Sequence, residues 1–252
     1  MVQICALASG SNGNCYYVGN GEEAIIVDCG ISNKLFNERL KSVGLNIDKV
    51  KAVFISHEHT DHVKGMRVIT AKNNIDAYIT KKTFNKTKLD YRSAKAHFFT
   101  PGDTINMGQF KIHTFNKQHD AVDPVSFRVE IENKNIAVLT DLGEPCEEVK
   151  EHLALCDAAF LETNYEHDIL FAGRYPYFLK NRVASNKGHL SNEQAIDLLK
   201  DKKNLLLRTL ILSHISADNN NSDAILAGFE QFSRSHNIEL SSRLSPSKLI
   251  NL

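Results

Sequence analysis

Short apolar runs alternate with polar breaks along the chain. KAVFIS (51–56), NIAVLTD ending at Asp141 and RTLILSH ending at His214 are brief, β-branched and stop at polar residues, so they read as buried strands entering loops. FKIHTFNKQH alternates apolar and polar positions ahead of His119, as a strand with one face in the core does. GHLSNEQAIDLLK (188–200) reads as a loop, a cap at Ser191 or Asn192 and an amphipathic helix. This alternation of strands and helices predicts an α/β protein. At 252 residues with 42% hydrophobic content, and with no linker, charge block or repeat dividing it, the chain is expected to form a single domain over 1–252.

The strand ends carry the candidate chemistry. FISHEHTDHVKG (54–65) crowds His57, His59, Asp61 and His62 together directly after an apolar run. Residues 57, 59 and 61 follow period two, so extended backbone sends them to one side, and a turn before HVKGMRVITAKNN swings His62 round as a second group. Imidazole nitrogen and carboxylate oxygen are ligands that zinc, manganese and iron accept, and nothing in the motif suggests a thiolate site. One loop can thus serve two metal ions. Two ions need further ligands, and His119, Asp141 and His214 stand at three more strand ends. One such residue after a strand is commonplace; the recurrence is the signal.

His57, His59, Asp61, His62, His119, Asp141 and His214 resemble the metal-ligand series of the metallo-β-lactamase superfamily, and Asp28 in AIIVDCG matches the aspartate that supports the metal loop from behind. The resemblance spans nearly the whole chain. It implies an αβ/βα four-layer sandwich with the metal site along one edge of two facing sheets. Such a fold serves lactams, thioesters, lactones, sulfates and phosphodiesters, so it does not select a substrate. SGSNGN near the start, LETNYEHDIL, GRYPYFLKNRVASNKGHLSN and LSHISADNN (212–220) are more specific and are similar to the YycJ/WalJ (VicX) group. GHLSNEQAIDLLK also resembles a segment of RNase Z whose histidine contacts the scissile phosphate region.

The resemblance implies a metal-dependent nucleic-acid phosphodiesterase, a DNA 5′ exonuclease, in which a hydroxide bridging two divalent ions (zinc or manganese, with iron also suited) attacks phosphorus. His57, His59 and His119 are then assigned to one ion, and Asp61, His62 and His214 to the other, with Asp141 shared. Asp61 also orients the hydroxide. His189 is the phosphate clamp or the proton donor to the leaving 3′ oxygen. Thr163 stands where the group usually has serine, which keeps a hydroxyl. His167 stands where an acid is common, and adds either a phosphate contact or a stray ligand.

Zero net charge argues against a chain coated with nucleic acid, but the distribution is uneven. The segment 81–97 holds six Lys/Arg against one Asp, and 171–190 holds four Lys/Arg, four aromatics and no acid. Arg174, Lys180, Arg182 and Lys187 are candidate backbone contacts, and Tyr175, Tyr177 or Phe178 either stack on a base or pack in the core. The alternative for both segments is solvated helix faces. Ser11, Asn12 and Asn14 lie in a loop whose amides form either an anion-binding concavity or an ordinary tight turn, and Asn164 joins them as a candidate contact. The five cysteines, an odd number without CxxC, read as reduced and mostly buried. No basic leader and no apolar stretch of membrane length appear, so a cytoplasmic protein that does not engage the membrane is expected, and nothing sets an oligomeric state. Two other classes remain: a small-molecule lactone or thioester hydrolase, which has no need of the 171–190 segment, and a non-catalytic accessory of a signalling system, which tolerates ligand loss.

Overall fold

The structure is a computed structural model describing residues 1–87 and 95–252. The first sheet takes β1 (Gln3–Ala8), β2 (Cys15–Gly19), β3 (Ala24–Val27), β4 (Val50–Phe54), β5 (Asp76–Thr80) and β6 (Ala96–Phe99). The second takes β7 (Thr104–Met107), β8 (Phe110–Asn116), β9 (Val125–Ile131), β10 (Lys134–Leu139), β11 (Ala158–Glu162), β12 (Thr209–Ser213) and β13 (Asn237–Leu240). The last strand, β14 (Ile250–Asn251), returns to pair with β1, so among the described residues each sheet has seven strands. Each sheet is part antiparallel and part parallel: β3 to β6 run parallel in the first, β10 to β13 in the second.

The helices are α1 (Asn33–Ser42), α2 (Thr60–Val63), α3 (Met66–Asn73), α4 (Lys81–Thr87), α5 (Glu147–Leu153), α6 (His167–Ala172), α7 (Tyr177–Val183), α8 (Asn192–Leu199) and α9 (Ser222–Phe229). Ser191 caps α8 through a reciprocal box with Gln194, which decides between the two caps the sequence offers. No helix among the described residues is long and apolar enough to cross a membrane.

Three apolar layers hold the four structural layers together. In β3, Ile25 and Val27 face the core between the sheets while Ala24 and Ile26 face the layer under Phe36 and Leu40 of α1 and Ile69 of α3. In β10, Ile136 and Val138 face the inner core while Ala137 and Leu139 meet Val149 of α5 and Leu198 of α8. Strands buried on both faces need no polar alternation, which is why they read as continuous apolar runs. This is the αβ/βα sandwich that the sequence led us to expect.

The loops after β3, β4, β8, β10, β11 and β12 gather along one edge. There the chain segments approach at backbone distance: a Cβ on Gly30 would lie 1.6 Å from the carbonyl oxygen of Asp61. Of the basic stretch 81–97, positions 88–94 lie outside the described residues. In its described part Lys82 pairs with Asp123 at 3.0 Å, and Lys81 sits 4.3 Å above the Phe98 ring.

Candidate metal centre

His57 follows β4 and His59 ends the extended segment as the N-cap of α2. Period two ends there, because Asp61 and His62 lie on the α2 turn. Asp61 therefore travels with His62, whereas a fully extended loop would have kept it with His57 and His59. His119 follows β8, Asp141 follows β10 and His214 follows β12. Among the described residues six non-glycine positions have positive φ, and three of them are Asp28 (60°), Asp141 (55°) and His214 (54°). Such backbone is strained and persists where surrounding structure over-determines it.

The seven ligand-type residues meet. The ligand atoms of His57, His59 and His119 lie within 4.8 Å of one another, as do those of Asp61, His62 and His214 and those of His57, His62 and Asp141. His119 Nε2 is 3.4 Å from His59 Nδ1, close to the spacing of two nitrogens each held about 2.1 Å from one tetrahedral ion. Asp141 reaches both groups, with Oδ2 at 3.0 Å from His62 Nε2 and Oδ1 at 3.6 Å from His119 Nε2.

Outer partners fix the imidazole tautomers. His62 Nδ1 donates to Asp28 Oδ2 at 2.7 Å, His119 Nδ1 donates to the Gly188 carbonyl at 3.0 Å, and His214 Nδ1 donates to Glu162 Oε1 at 2.8 Å. Carbonyl and carboxylate oxygens only accept, so in each ring Nδ1 carries a proton and Nε2 is the nitrogen left facing inward. His57 Nδ1 bonds Ser56 Oγ at 2.9 Å, and Ser56 donates in turn to Asp28 Oδ2. The inward nitrogens of His57 and His214 are buried without a hydrogen-bond partner. Buried polar atoms are nearly always satisfied, so an imidazole nitrogen left without a partner among other ligand-type atoms fits a cation in each group.

Without an ion the electrostatics divide the imidazoles. Burial pushes His57 well down and His119 down to about 4, so both stay neutral. For His62 and His214 burial opposes charge, but Asp141 and Asp28 lift the first well above its usual range, and Asp141, Asp61 and Glu162 lift the second to about 10, so each holds a second proton that a bound cation would displace. Asp141 is held well below the usual carboxylate range despite burial because His214 and His62 adjoin it. Asp28, Asp61, Asp141 and Glu162 thus surround a small volume, with the buried Lys117 among them donating to the Thr140 carbonyl at 2.6 Å. A dication would relieve that concentration of negative charge.

Glu162 and Lys117 escaped the sequence reading. Glu162 is fully buried, and its Oε1 also accepts from His189 Nδ1 at 2.9 Å. His189 stands at the edge of the cluster, its Nδ1 3.7 Å from Asp141 Oδ1, and it forms a fourth group of ligand-type atoms within 4.8 Å of one another with Asp141, Glu162 and His214. Glu162 ends an apolar strand as Asp28 and Asp141 nearly do, and that shared pattern was the available signal.

Several other sequence candidates sit differently from expectation. Asn14 is fully buried, and its Nδ2 donates to Asp61 Oδ2 at 3.1 Å and lies 3.0 Å from His62 Nε2. Asn164 is buried and donates to the His214 carbonyl at 2.7 Å. Both stand behind the candidate ligands rather than on the cleft wall. In the Ser11–Asn12 loop the amides of Gly10, Gly13 and Asn14 are spent on Asn14 Oδ1, the Gly10 carbonyl and the Asp61 carbonyl, which makes it a braced turn. Lys180 Nζ donates to the Phe171 carbonyl, and Arg182 Nε donates to Asp120 Oδ2 at 2.7 Å. Arg174 and Lys187 are exposed, as are Tyr177 and Phe178, while Tyr175 donates to Asp218. His167 is exposed against Phe171, outside every ligand group among the described residues. The Thr163 hydroxyl is buried without a partner. Cys29 is fully buried, which raises its thiol well above the usual range and leaves it a spectator.

The β-lactamase superfamily domain matches residues 23–215. The chain is 33% identical over 222 residues to Exodeoxyribonuclease YycJ of Bacillus anthracis, covering 87% of this chain and 84% of that protein. It is 32% identical over 221 residues to Exodeoxyribonuclease WalJ of Streptococcus pneumoniae, covering 85% and 81%. Among solved structures, the metallo-β-lactamase fold protein YhfI from Bacillus subtilis shares the fold, with a TM-score of 0.75 at 17% identity over 99% of this chain and 98% of its own. With strand-end ligand groups, a buried histidine-and-carboxylate periphery and relatives matched over most of their length, the chain belongs to the β-lactamase superfamily, in the group of YycJ and WalJ.

Proposed function

We propose that this protein is a binuclear metal-dependent phosphodiesterase that degrades DNA from strand ends, with 1–252 acting as one domain in the cytoplasm. The observation that carries the reading is the pair of groups His57, His59, His119 and Asp61, His62, His214, with Asp141 within reach of both and two further overlapping groups around it. The names of the relatives, both exodeoxyribonucleases, support the substrate class.

His57, His59 and His119 would hold one ion and Asp61, His62 and His214 the other, with Asp141 between them. Divalent ions so held lower the pKa of water and offset charge on a phosphate oxygen. The remaining work falls to the chain's own groups. Asn14 donates to the Asp61 carboxylate and holds it in place to orient an attacking water. Glu162 holds the His189 proton on Nδ1 and fixes the ring beside Asp141, so that His189 meets the phosphate or hands a proton to the departing oxygen. The buried Asp28 keeps His57 and His62 in register through Ser56 and directly.

The test combines metal analysis with cleavage of 5′- and 3′-labelled single- and double-stranded DNA. Mononucleotide release dependent on a divalent ion is expected. Hydrolysis of a lactone or thioester with no cleavage of DNA or RNA would overturn the reading.

A further inference from the structure

The Asp61 side of the candidate centre opens into a cleft of about 370 Å³ lined by Ser11, Asn12, Thr60, Asp61 and Lys64. Behind Ser11 stands Arg243, from the segment that follows β13, and its Nη2 donates to Ser11 Oγ at 3.2 Å. Backbone and side chain of Arg243 are both fixed. Its carbonyl accepts from Nη2 of the buried Arg39 at 2.7 Å, and Nη1 of Arg39 donates to the Leu7 carbonyl at 2.7 Å, which ties the segment to β1. The side chain lies across Gly10, where φ is 118° and an added Cβ would come within 3.0 Å of Arg243 Nε. That Nε is itself buried without a hydrogen-bond partner.

Among the described residues neither Arg243 nor the exposed Lys64 pairs with a carboxylate. Arg182, on the opposite side of the centre, does so with Asp120. The carboxylate on the cleft wall, Asp61, turns inward: its Oδ2 accepts from Asn14 and lies 3.4 Å from His62 Nε2 and 3.8 Å from His214 Nε2. What the cleft offers outward is an unpaired ammonium, a hydroxyl and the side-chain amide of Asn12, with the Arg243 guanidinium beside it on Ser11 Oγ. Such a donor set recognises a phosphate.

We propose that this cleft is a second phosphate-binding subsite, built by Ser11, Asn12, Lys64 and Arg243, that takes the phosphate neighbouring the scissile one. The proposal rests on the nucleic-acid reading above. A strand with its scissile phosphate at the ligand groups passes Asp61 and brings its next phosphate to Lys64 and Arg243. Ser11, Asn12 and Arg243 lie outside the stretch 23–215 of the superfamily match while Lys64 lies inside it, so the subsite joins the outer segments of this chain to the loop that carries Asp61.

The full-length protein, freed of metal by chelation, is titrated with inorganic phosphate and followed by amide NMR. Shifts are expected at Ser11, Asn12 and Lys64, and are lost in a Lys64→Gln/Arg243→Gln double variant. Arg39 bonds the Arg243 carbonyl, so that brace survives the side-chain change, and an unchanged melting temperature checks it. A 5′-phosphorylated oligonucleotide should then bind the metal-free double variant at least roughly tenfold more weakly than wild type, since each neutralised phosphate contributes to affinity. If the dephosphorylated oligonucleotide loses less, the occupant is a terminal phosphate; equal loss identifies a backbone phosphodiester. Absence of phosphate shifts, or unaltered binding of both oligonucleotides by the folded variant, overturns the subsite even if DNA is cleaved. Phosphate shifts in a protein that cleaves no nucleic acid keep the anion site and remove the nuclease reading.

Discussion

His189 and Glu162 form a hydrogen-bonded pair beside Asp141, with Nδ1 of the histidine donating to Oε1 of the carboxylate at 2.9 Å. The same oxygen accepts from His214 Nδ1 at 2.8 Å. One buried carboxylate therefore serves both a candidate ligand and a candidate acid. Removing its charge by Glu162→Gln should lower turnover and metal affinity together, each by about 10- to 100-fold, the usual cost of an outer partner of a metal-bound histidine. His189→Ala should slow cleavage about 10²- to 10⁴-fold with the metal content intact. Steady-state kinetics with metal analysis of both variants checks this, and loss of metal from His189→Ala would make His189 a ligand.

Asp141 lies 3.0 Å from His62 Nε2 and 3.6 Å from His119 Nε2, within reach of both groups, so its loss should be the most damaging change at the centre. Inductively coupled plasma measurement should find near two divalent ions per wild-type chain. Asp141→Ala should abolish turnover and bind at most one. Chelation should also lower the melting temperature of wild type, because an ion bound to the folded state alone stabilises it by mass action. A wild-type preparation fully active with one ion would break the binuclear assignment.

The ligands were legible in sequence because each follows an apolar strand, and the fold brings the ends of β4, β8, β10 and β12 to one edge. Asp28 was legible through the resemblance of AIIVDCG to the superfamily's early aspartate segment. The roles of Asn14, Asn164 and Arg182 were not, since their partners Asp61, His214 and Asp120 lie 47, 50 and 62 residues away along the chain. A polar residue in a loop reads as a surface group until folding shows what it faces. Arg243 pairs with Ser11 across 232 residues, and no local pattern marks it. The placement of Asp61 depended on where extended backbone gives way to a helical turn, which periodicity over a few residues does not resolve.

Acid should weaken the fold through a histidine remote from the centre. His152 stacks on Phe115 with ring centroids 4.0 Å apart and accepts from Arg128 Nε at 3.1 Å, and burial and Arg128 together push its pKa down to about 4. The unfolded chain takes up this proton near pH 6.5 and the folded chain near 4, so the contribution is complete above about pH 6.5 and is lost as the pH falls towards 4. Replacement by Gln keeps an acceptor for Arg128 and removes the titration. The drop in melting temperature between pH 7 and pH 5 should be smaller in His152→Gln than in wild type; an equal drop would assign acid sensitivity to other groups.

Tyr177 and Phe178 open α7 with 72% and 73% of their surface exposed, so the choice the sequence posed between core packing and an outward face falls to the second. Lys180 and Arg182 on the same helix are engaged with the Phe171 carbonyl and Asp120, so changing them would disturb α6 and the loop that carries His119 as well as any bound strand. The aromatic pair is the cleaner probe of substrate. Exposed side chains that touch little leave stability within about 0.5 kcal/mol when truncated. A stacked base contributes about 1–3 kcal/mol, so Tyr177→Ala/Phe178→Ala should weaken binding of single-stranded DNA roughly 5- to 150-fold. The melting temperature should hardly move. Stacking is not ionic, so the loss should persist at high salt, whereas backbone contacts weaken with a slope of about 0.7 per phosphate on a single strand. Anisotropy titrations of the metal-free double variant at two salt concentrations decide it, and unaltered affinity at both would place the strand away from α7.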